Sequence, residues 1–286
     1  MNRGISVAES ALLKKQAGEY FDTHSREYTS EHYEGTQKGA KWARHNALIK
    51  TILKLPLPIN SRILDLGCGP GYLSRELCRR GYTGVGLDSS QAMVAGCERD
   101  AEAEGISPSR WQFLIGDAEK LPFPDGEFNV VVAAGLIEYM PTDELLLREV
   151  GRVLKPGGWL LINVTNRWGY TVCLLPISLG IRRLPRVIPI ASAIKRVVAG
   201  GRIDAQRLDF TPRRHSCSVF RNTMAENGLP VKQDVYLNFS LLPAPFCTLM
   251  SRLTSGIDDA LDLLDRTPLR KLGSCYIAIG QKTVPC

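Results

Sequence analysis

Between Arg62 and Val164, short apolar runs alternate with segments whose apolar residues have the spacing of amphipathic helices. Such runs, bounded by turn residues, are typical of strands buried on both faces, and parallel strands need a crossover connection, usually a helix. The alternation therefore predicts an α/β fold with a doubly wound, mostly parallel sheet. With 44% hydrophobic and 23% charged residues, the composition is that of a globular protein, which excludes disordered and fibrous classes.

The predicted elements extend this alternation to a Rossmann-like sheet of seven strands. We predict strands at 62–66, 83–88, 111–115, 127–134, 159–164, 231–239 and 274–280. We predict helices at 72–80, 90–104, 143–154 and 216–227, and roughly at 8–20 and 38–53 in the N-terminal region. Residues 1–58 are thus expected to form a helical N-terminal region, and residues 59–286 one domain with helical cap insertions at about 167–212 and 241–271.

A glycine-rich loop, DLGCGPG at 65–71, follows the first predicted strand. Glycines let the backbone turn tightly and approach a ligand without interference from a Cβ atom. The dinucleotide pattern GxGxxG fails because Tyr72 stands where its last glycine would be, and no Gly-Lys-Ser/Thr follows for a nucleoside triphosphate. Asp65 at the end of the strand would repel a pyrophosphate but would attract an ammonium or a sulfonium group.

Three aspartates end, or directly follow, the first three predicted strands: Asp65, Asp88 and Asp117. The carboxyl ends of parallel strands meet at one edge of the sheet, where open α/β folds bind ligands. Asp88 is placed to accept hydrogen bonds from ribose hydroxyls, and Asp117 from an adenine amino group. Any one of these acids could be a helix cap or a turn residue. Together with the loop, they predict a site for an adenosine that carries a positive charge.

Four motifs resemble those of class I S-adenosylmethionine-dependent methyltransferases, in particular the small-molecule subgroup with ubiquinone and menaquinone enzymes. The motifs are ILDLGCGPG (63–71), GLD (86–88), GDAEKLPF (116–123) and LKPGG (154–158). The resemblance covers about residues 60–165. It implies S-adenosyl-L-methionine as the cofactor and says little about the acceptor.

The resemblance implies a role for each matching residue. Asp65 would lie near the cofactor's ammonium, Asp88 would hold its ribose, and Asp117 with its neighbour would flank the adenine. Met93 would cover the adenine face, although a core role is equally open. Tyr28 belongs to an N-terminal region that closes over the cofactor in similar enzymes. The cofactor-binding residues predicted in this way are Asp65, Gly67, Cys68, Gly69, Gly71, Asp88, Ser89, Met93, Asp117, Ala118 and Tyr28.

Three residues are candidates for catalysis: Glu138, Tyr139 and His215. Many relatives have Glu-His where this chain has Glu138-Tyr139, so the histidine that could act as a base or help to hold a metal is replaced. Ala134-Gly135 also replaces the preceding Ser-Glu of the metal-using relatives, and we therefore predict no metal. His215 lies where a basic insertion returns to the domain. His24, His32 and His45 are expected to be solvated helix residues.

The segment 150–203 contains no Asp or Glu and is rich in arginine and apolar residues. In similar enzymes an insertion here roofs the acceptor pocket, so an apolar, cationic roof at 167–202 suggests a lipid-like or isoprenoid acceptor and peripheral contact with a membrane surface. A plain basic surface, a cap helix packed on its own domain and a homodimer contact stay open. The eight scattered cysteines and the lack of a signal peptide or an apolar run of ~18–20 residues predict a cytoplasmic protein with reduced thiols.

The sequence thus predicts an enzyme that transfers a methyl group from S-adenosylmethionine to a small, hydrophobic acceptor by in-line displacement. The alternatives are a polar natural product or sugar as acceptor, a nucleic-acid methyltransferase, and a non-catalytic binding protein with the cofactor fold. No Asn/Asp-Pro-Pro-Tyr/Phe motif of base-modifying relatives occurs, so we expect no nucleic-acid partner.

Overall fold

The computed structural model describes residues 7–33, 40–58, 60–170, 173, 212–237 and 262–284. Most of the two predicted cap insertions lies outside these residues. The predicted membrane contact through 167–202 falls largely there too, and it stays a prediction. None of the helices in the described ranges is long and apolar enough to cross a membrane.

The strands of the described residues form one seven-stranded sheet in the order β3-β2-β1-β4-β5-β7-β6. They are β1 (Arg62–Leu66), β2 (Thr83–Asp88), β3 (Trp111–Ile115), β4 (Phe128–Ala133), β5 (Leu154–Thr165), β6 (Val231–Leu237) and β7 (Cys275–Gln281). The first five strands pair in parallel, whereas β7 runs antiparallel to both of its neighbours. The predicted doubly wound, mostly parallel α/β fold is confirmed.

The helices of the described residues agree with the predictions in number and differ in extent. They are α1 (Val7–Tyr33), α2 (Ala40–Ile52), α3 (Tyr72–Arg79), α4 (Gln91–Ala103), α5 (Glu144–Val153) and α6 (Cys217–Glu226). The prediction of 8–20 for the first helix was too short, because the helix continues past a kink at His24. Strand β5 begins at Leu154 and not at Trp159, since Leu154 already pairs with Phe128 ahead of a bulge.

The strands are buried on both faces, as their apolar sequences predict. Alternate residues of β1 enter opposite layers: Ile63 packs in the cluster that contains Leu48 and Trp111, and Leu64 in the cluster that contains Phe128. All of these side chains are almost completely buried. The helices therefore cover both faces, and the ends of the strands are what the fold leaves open for a site.

Candidate functional site

A pocket opens at the carboxyl ends of β1 to β4, beneath the N-terminal helix α1. The sequence-predicted residues that line it are Asp65, Gly67, Cys68, Gly69, Asp88, Ser89, Met93, Asp117, Ala118, Tyr28 and Tyr139. Gly71, Glu138 and His215 do not belong to its lining. The predicted acids and the glycine loop therefore converge on one concave site.

The glycine loop is shaped by hydrogen bonds to the end of β2. The amides of Gly67 and Cys68 donate to the carbonyl of Leu87 at 2.7 and 3.2 Å. Gly67 and Gly69 have φ of 72° and 51°, which is left-handed backbone that favours glycine. A Cβ at Gly69 would meet no atom within 4 Å. The loop thus presents bare backbone to open space, as a ligand cradle requires.

Gly71 serves the packing of the loop against helix α4. A Cβ atom here would lie 2.8 Å from Sγ of Cys97 and 3.2 Å from the ring of Phe113, and the residue has φ of 70°. Any side chain at this position would push the loop away from α4. The structure therefore gives Gly71 a packing role beneath the pocket, and its predicted contact with the cofactor stays a prediction.

Asp65 is a buried acid at the base of the pocket, with 1% of its surface exposed. Burial raises its pKa to about 7, although a 2.7 Å hydrogen bond from the Ser74 hydroxyl favours the charged form. A carboxyl with this pKa changes its charge near neutral pH. It can pair with a cation that enters the pocket and can hold a proton when none is present.

Asp88 ties the loop to the start of α4. One carboxylate oxygen accepts from the amide of Gly69 at 2.8 Å, and the other accepts from the amide of Ser90 at 2.9 Å. Burial raises the pKa of Asp88, and these amide donors oppose the rise. Because each carboxylate oxygen can accept more than one hydrogen bond, both can still take a hydroxyl from a ligand.

Asp117 is held by a lysine from helix α1. The ammonium of Lys14 lies 2.6 and 2.7 Å from the two carboxylate oxygens of Asp117 and 2.6 Å from Glu119. Partial burial opposes the charge of Lys14, but the two carboxylates outweigh it and raise the pKa of the lysine. The acid predicted to accept from an adenine is therefore already paired with a cation of α1.

A second contact fixes α1 over the pocket. Asp22 accepts hydrogen bonds from the hydroxyl of Ser90 at 2.6 Å and from the amide of Ala92 at 3.2 Å. The same hydroxyl accepts from the amide of Met93 at 3.1 Å, so Ser90 caps α4. Met93 is 2% exposed and still contributes to the pocket wall.

Aromatic side chains form the opposite wall of the pocket. Phe21 of α1 makes edge-to-face contacts with Tyr28 and with Tyr139, each with ring centroids 5.4 Å apart. Burial raises the pKa of Tyr139, so its hydroxyl stays protonated at neutral pH. Tyr139 can therefore donate a hydrogen bond and exclude water, but it cannot act there as an anionic base.

Glu138 points away from the pocket, although it precedes Tyr139 in the same short 3-10 turn. Its carboxylate accepts a hydrogen bond from the hydroxyl of Thr165, and its carbonyl accepts from the amide of Arg213. The turn sends consecutive side chains in different directions. The position of Glu138 fits a structural role better than the predicted catalytic one.

His215 lies in a buried charge network outside the pocket lining. Its Nε2 is 3.1 Å from Oδ1 of Asp143, which also pairs with Arg213 at 2.8 Å. Burial opposes the charge of Asp143, but His215 and Arg213 outweigh it and lower its pKa. Arg213 also donates to the carbonyl of Met140 at 3.1 Å, so the network supports the pocket wall from behind.

Sequence reasoning missed several residues of the pocket. Lys14 and Phe21 lie on α1 and carry no local signal, because Lys14 contacts Asp117, 103 residues along the chain, and Phe21 contacts Tyr139. The expectation that His45 is solvated was wrong, because it is 6% exposed and lines the pocket. Its helical spacing from Leu48, Ile49 and Ile52, all buried, could have indicated this.

No group of three or more His, Cys, Asp or Glu that could hold a metal ion occurs in the described part of the chain. The described cysteines form no disulfide. The prediction that the site works without a metal stays a prediction.

The segment that carries the pocket matches known proteins. Residues 63–158 match a family described as a methyltransferase domain. A ubiquinone biosynthesis O-methyltransferase of Azorhizobium caulinodans is 32% identical over 127 residues, which are 44% of this chain and 49% of that protein. A sterol 24-C-methyltransferase of Gibberella zeae is 37% identical over 112 residues, or 36% of this chain and 29% of that protein. The chain spans about half or less of the length of these relatives.

A solved structure shares the fold over a longer range. The magnesium protoporphyrin IX methyltransferase of Synechocystis PCC 6803, with bound SAH, has a TM-score of 0.60 at 13% identity and covers 95% of this chain and 100% of its own. The predicted relationship of this segment to class I S-adenosylmethionine-dependent methyltransferases is confirmed by the family and the relatives that it matches, and the solved structure shows that the fold is shared.

Proposed function

We propose that this class I domain binds S-adenosylmethionine and transfers its methyl group to a small, hydrophobic acceptor. The convergence of three acids and a bare-backbone loop on one pocket carries this proposal. The acids suit a cationic nucleoside, and the loop lacks the features that hold a phosphate. The cradle fits this group because a ligand can approach Gly69 without meeting any side chain of the loop.

Each acid has a separate task in holding the nucleoside. Asp65 meets the ammonium of the amino acid part, and its pKa of about 7 lets it gain the charge that this contact needs. Asp88 accepts from the ribose hydroxyls with the oxygens that already order the loop. Asp117 and Ala118 lie at the adenine end, where Lys14 closes the pocket.

The bound cofactor supplies a methyl group on a positively charged sulfur, and its transfer to an acceptor lone pair leaves a neutral thioether. The chain contributes alignment, which is the main source of acceleration for such a displacement. Phe21, Tyr28 and Tyr139 exclude water from the methyl group, and a dry environment favours a step in which charge disappears. A protonated Tyr139 can orient an acceptor oxygen by donating a hydrogen bond.

The acceptor is inferred to be apolar from the lining of the pocket. Besides the aromatic residues, the apolar residues Ala17, Leu136 and Met140 line the pocket. The relatives named above are a ubiquinone biosynthesis O-methyltransferase and a sterol 24-C-methyltransferase. Ubiquinone and sterols are both hydrophobic molecules. The apolar composition of 167–202, the predicted roof, points in the same direction.

Transfer of a labelled methyl group tests the proposal. The purified protein is incubated with S-adenosylmethionine labelled in its methyl group and with fractionated host extract, and the label is followed into lipid, polar and nucleic-acid fractions. We expect label in the lipid fraction, and its loss in an Asp88→Ala variant. Label only in the polar or nucleic-acid fraction would contradict the hydrophobic acceptor, and binding without any transfer would contradict the activity.

A further inference from the structure

A second cleft opens at the amino end of helix α6, and no described residue lines both this cleft and the pocket of the three acids. Its volume of about 450 Å³ lies in the range of small-molecule sites. The described residues that line it include the cations Arg221 and Lys271, neutral polar residues and two aromatic residues, but no acid. A cleft with this lining attracts a negatively charged group.

The two cations of the cleft have donors left for a ligand. Lys271 lies on the short 3-10 helix Pro268–Leu272, and its ammonium forms no ion pair with a described residue. Arg221 pairs with Asp234 at 2.7 Å, and the same carboxylate also pairs with Arg270. Arg221 therefore keeps N–H groups that Asp234 does not use. Lys271 adds a charge that no described carboxylate balances.

The first turn of α6 adds backbone donors to the cleft. The helix begins at Cys217, and among the described residues no side chain caps its amino end. The first amides of a helix have no partner within the helix, and the helix dipole is positive at this end. Ser218 and, one turn later, Arg221 and Asn222 line the cleft together with Cys217. The turn thus faces the cleft, and an amino end in this position favours an anionic ligand.

A buried hydroxyl beside the cleft lacks a hydrogen-bond partner. Tyr276 of β7 is fully buried, and its hydroxyl bonds to no described residue. It lies opposite Tyr236 of β6, a lining residue, with ring centroids 4.9 Å apart, so both side chains leave the same face of the sheet. Burial raises the pKa of Tyr276, and two further lining residues, Arg221 and Cys217, are close enough to act on it. Tyr276 is thus a protonated donor next to the cleft, and a buried donor without an acceptor costs free energy.

The walls of the cleft are held together by Asn166, which is 2% exposed. Its side-chain amide donates to the carbonyls of Lys271 and Gly273 at 2.9 and 2.8 Å, and its oxygen accepts from the amide of Trp168 at 3.1 Å. Trp168 lines the cleft and is still 63% exposed, so its indole can stack on a flat ring. The guanidinium of Arg167 lies over this indole at 5.1 Å and adds positive charge.

We propose that the cleft binds the phosphate group of a small aromatic molecule. The amino end of α6, the two cations and the hydroxyl of Tyr276 offer donors from three elements, which suits a group with three terminal oxygens and a high charge. Trp168 receives the aromatic ring. This site is separate from the proposed methyl transfer and does not depend on it. A lipid phosphate would be recognised by the same chemistry, so the experiment includes both sources.

Binding of phenyl phosphate tests the proposal. Calorimetry measures its binding and that of inorganic phosphate to the wild type, Lys271→Gln, Tyr276→Phe and Trp168→Ala. Sedimentation with phosphatidylcholine vesicles, with and without phosphatidic acid, measures binding to a lipid phosphate. Lys54→Gln is the matched control, because Lys54 is exposed, lines neither cavity and has no ion pair with a described residue.

We expect Lys271→Gln and Tyr276→Phe each to weaken phenyl phosphate binding roughly tenfold, the lower end for a hydrogen bond to a charged group. Tyr276→Phe should not lower the melting temperature, because its hydroxyl has no partner in the ligand-free protein. Trp168→Ala should weaken binding of phenyl phosphate but not of inorganic phosphate. Lys54→Gln should bind both ligands like the wild type.

Other results would overturn the proposal. A wild type that does not bind phenyl phosphate, or Lys271→Gln and Tyr276→Phe variants that bind it unchanged, would contradict the site. Equal binding of phenyl phosphate and inorganic phosphate, unaffected in Trp168→Ala, would contradict the aromatic ligand. Sedimentation with phosphatidic acid vesicles without binding of phenyl phosphate would assign the cleft to a lipid surface instead of a small molecule.

Discussion

Ser90 and Asp22 join the N-terminal helix to the half of the sheet that carries the pocket, through a 2.6 Å hydrogen bond between their side chains. Ser90 also caps α4 through the amide of Met93, and Asp22 accepts from the amide of Ala92. An acid near the first turn of a helix is stabilised by the helix dipole. The docking of α1 over the pocket is therefore coupled to the start of the helix that carries Met93.

Replacement of Asp22 by alanine should loosen both the cap of α4 and the cover of the pocket. We expect a loss of unfolding free energy of about 1 kcal/mol, as for other helix caps, and weaker binding of S-adenosylhomocysteine. Thermal denaturation with and without ligand measures both. Thr23→Ala is the control, because the hydroxyl of Thr23 donates within α1, to the carbonyl of Glu19. Ligand affinity that is unchanged in Asp22→Ala would show that α1 does not cover the nucleoside.

Lys14 should control how fast the nucleoside leaves. Its ammonium bridges Asp117 and Glu119, which we propose to lie at the adenine end, and partly exposed ion pairs weaken as salt rises. We expect Lys14→Met to release S-adenosylhomocysteine several-fold faster than the wild type, with a smaller dependence of the rate on ionic strength. Stopped-flow dissociation measures this rate.

Lys15→Met is the control for Lys14, because Lys15 is 73% exposed and, in the described part of the chain, pairs only with Glu19 of the same helix. A slower release from Lys14→Met would also be informative. It would indicate that Lys14 competes with the adenine for Asp117 and does not close the pocket over it.

The sheet and the glycine loop were predictable because their signals are local. An apolar run followed by Asp65 and glycines indicates a strand end and a ligand loop from the nine consecutive residues 63–71. The role of α1 was not predictable in the same way. Lys14 and Asp117 are 103 residues apart, and α1 has only a weak apolar stripe to indicate which face docks. The glycine loop of the site is thus encoded in a local motif, whereas the docking of α1 over the site depends on a long-range contact.

Of the three residues predicted to be catalytic, Tyr139 lines the pocket, whereas Glu138 and His215 do not. The reason is geometric. The chain places Glu138 and Tyr139 next to each other, but a 3-10 turn directs one to Thr165 and the other to the pocket. His215 was noticed as a rare titratable residue near the end of an insertion. Its partner Asp143 is 72 residues away, and nothing in the sequence joins the two.

Substitutions of Glu138, His215 and Tyr139 should therefore differ in their effects on the melting temperature and on kcat. Glu138→Ala and His215→Ala should lower the melting temperature, since the first leaves the hydroxyl of Thr165 without its acceptor and the second leaves the buried Asp143 with Arg213 as its remaining partner in this network. Tyr139→Phe should keep the melting temperature within a few degrees but lower kcat several-fold for an oxygen acceptor. Circular dichroism and methyl-transfer kinetics measure these effects. A loss of kcat with an unchanged melting temperature in His215→Ala would restore His215 as a catalytic candidate.

Asp65 should make ligand affinity depend on pH. Its pKa of about 7 means that the carboxyl is mostly protonated at pH 6 and mostly charged at pH 8. Because the charged form attracts the ammonium of the ligand, we expect S-adenosylhomocysteine to bind up to about tenfold more tightly at pH 8 than at pH 6. Asp65→Asn should bind weakly with a nearly flat profile. Calorimetry in matched buffers measures this dependence, and a wild-type profile as flat as that of the variant would contradict the pairing.

The carboxyl of Asp65 should also make the ligand-free protein less stable as pH rises. In the folded state Asp65 holds its proton up to about pH 7, whereas the unfolded chain releases it near its ordinary pKa of 3.8. The unfolded state binds fewer protons between these values, so the unfolding free energy contributed by this group falls from about pH 4 to pH 7. Asp65→Asn cannot lose a proton and should gain stability relative to the wild type over this range, by up to about 4 kcal/mol at pH 8.

Urea denaturation of the ligand-free proteins at pH 5 and pH 8 measures this stability difference. The control is Asp125→Asn, which changes an acid that is 82% exposed. Saturating S-adenosylhomocysteine should reverse the order at pH 8, because the ligand stabilises the wild type and binds the variant weakly. A wild type that is more stable than Asp65→Asn at pH 8 without ligand would mean that the carboxylate is satisfied by the protein alone. In that case Asp65 would not be reserved for a cation.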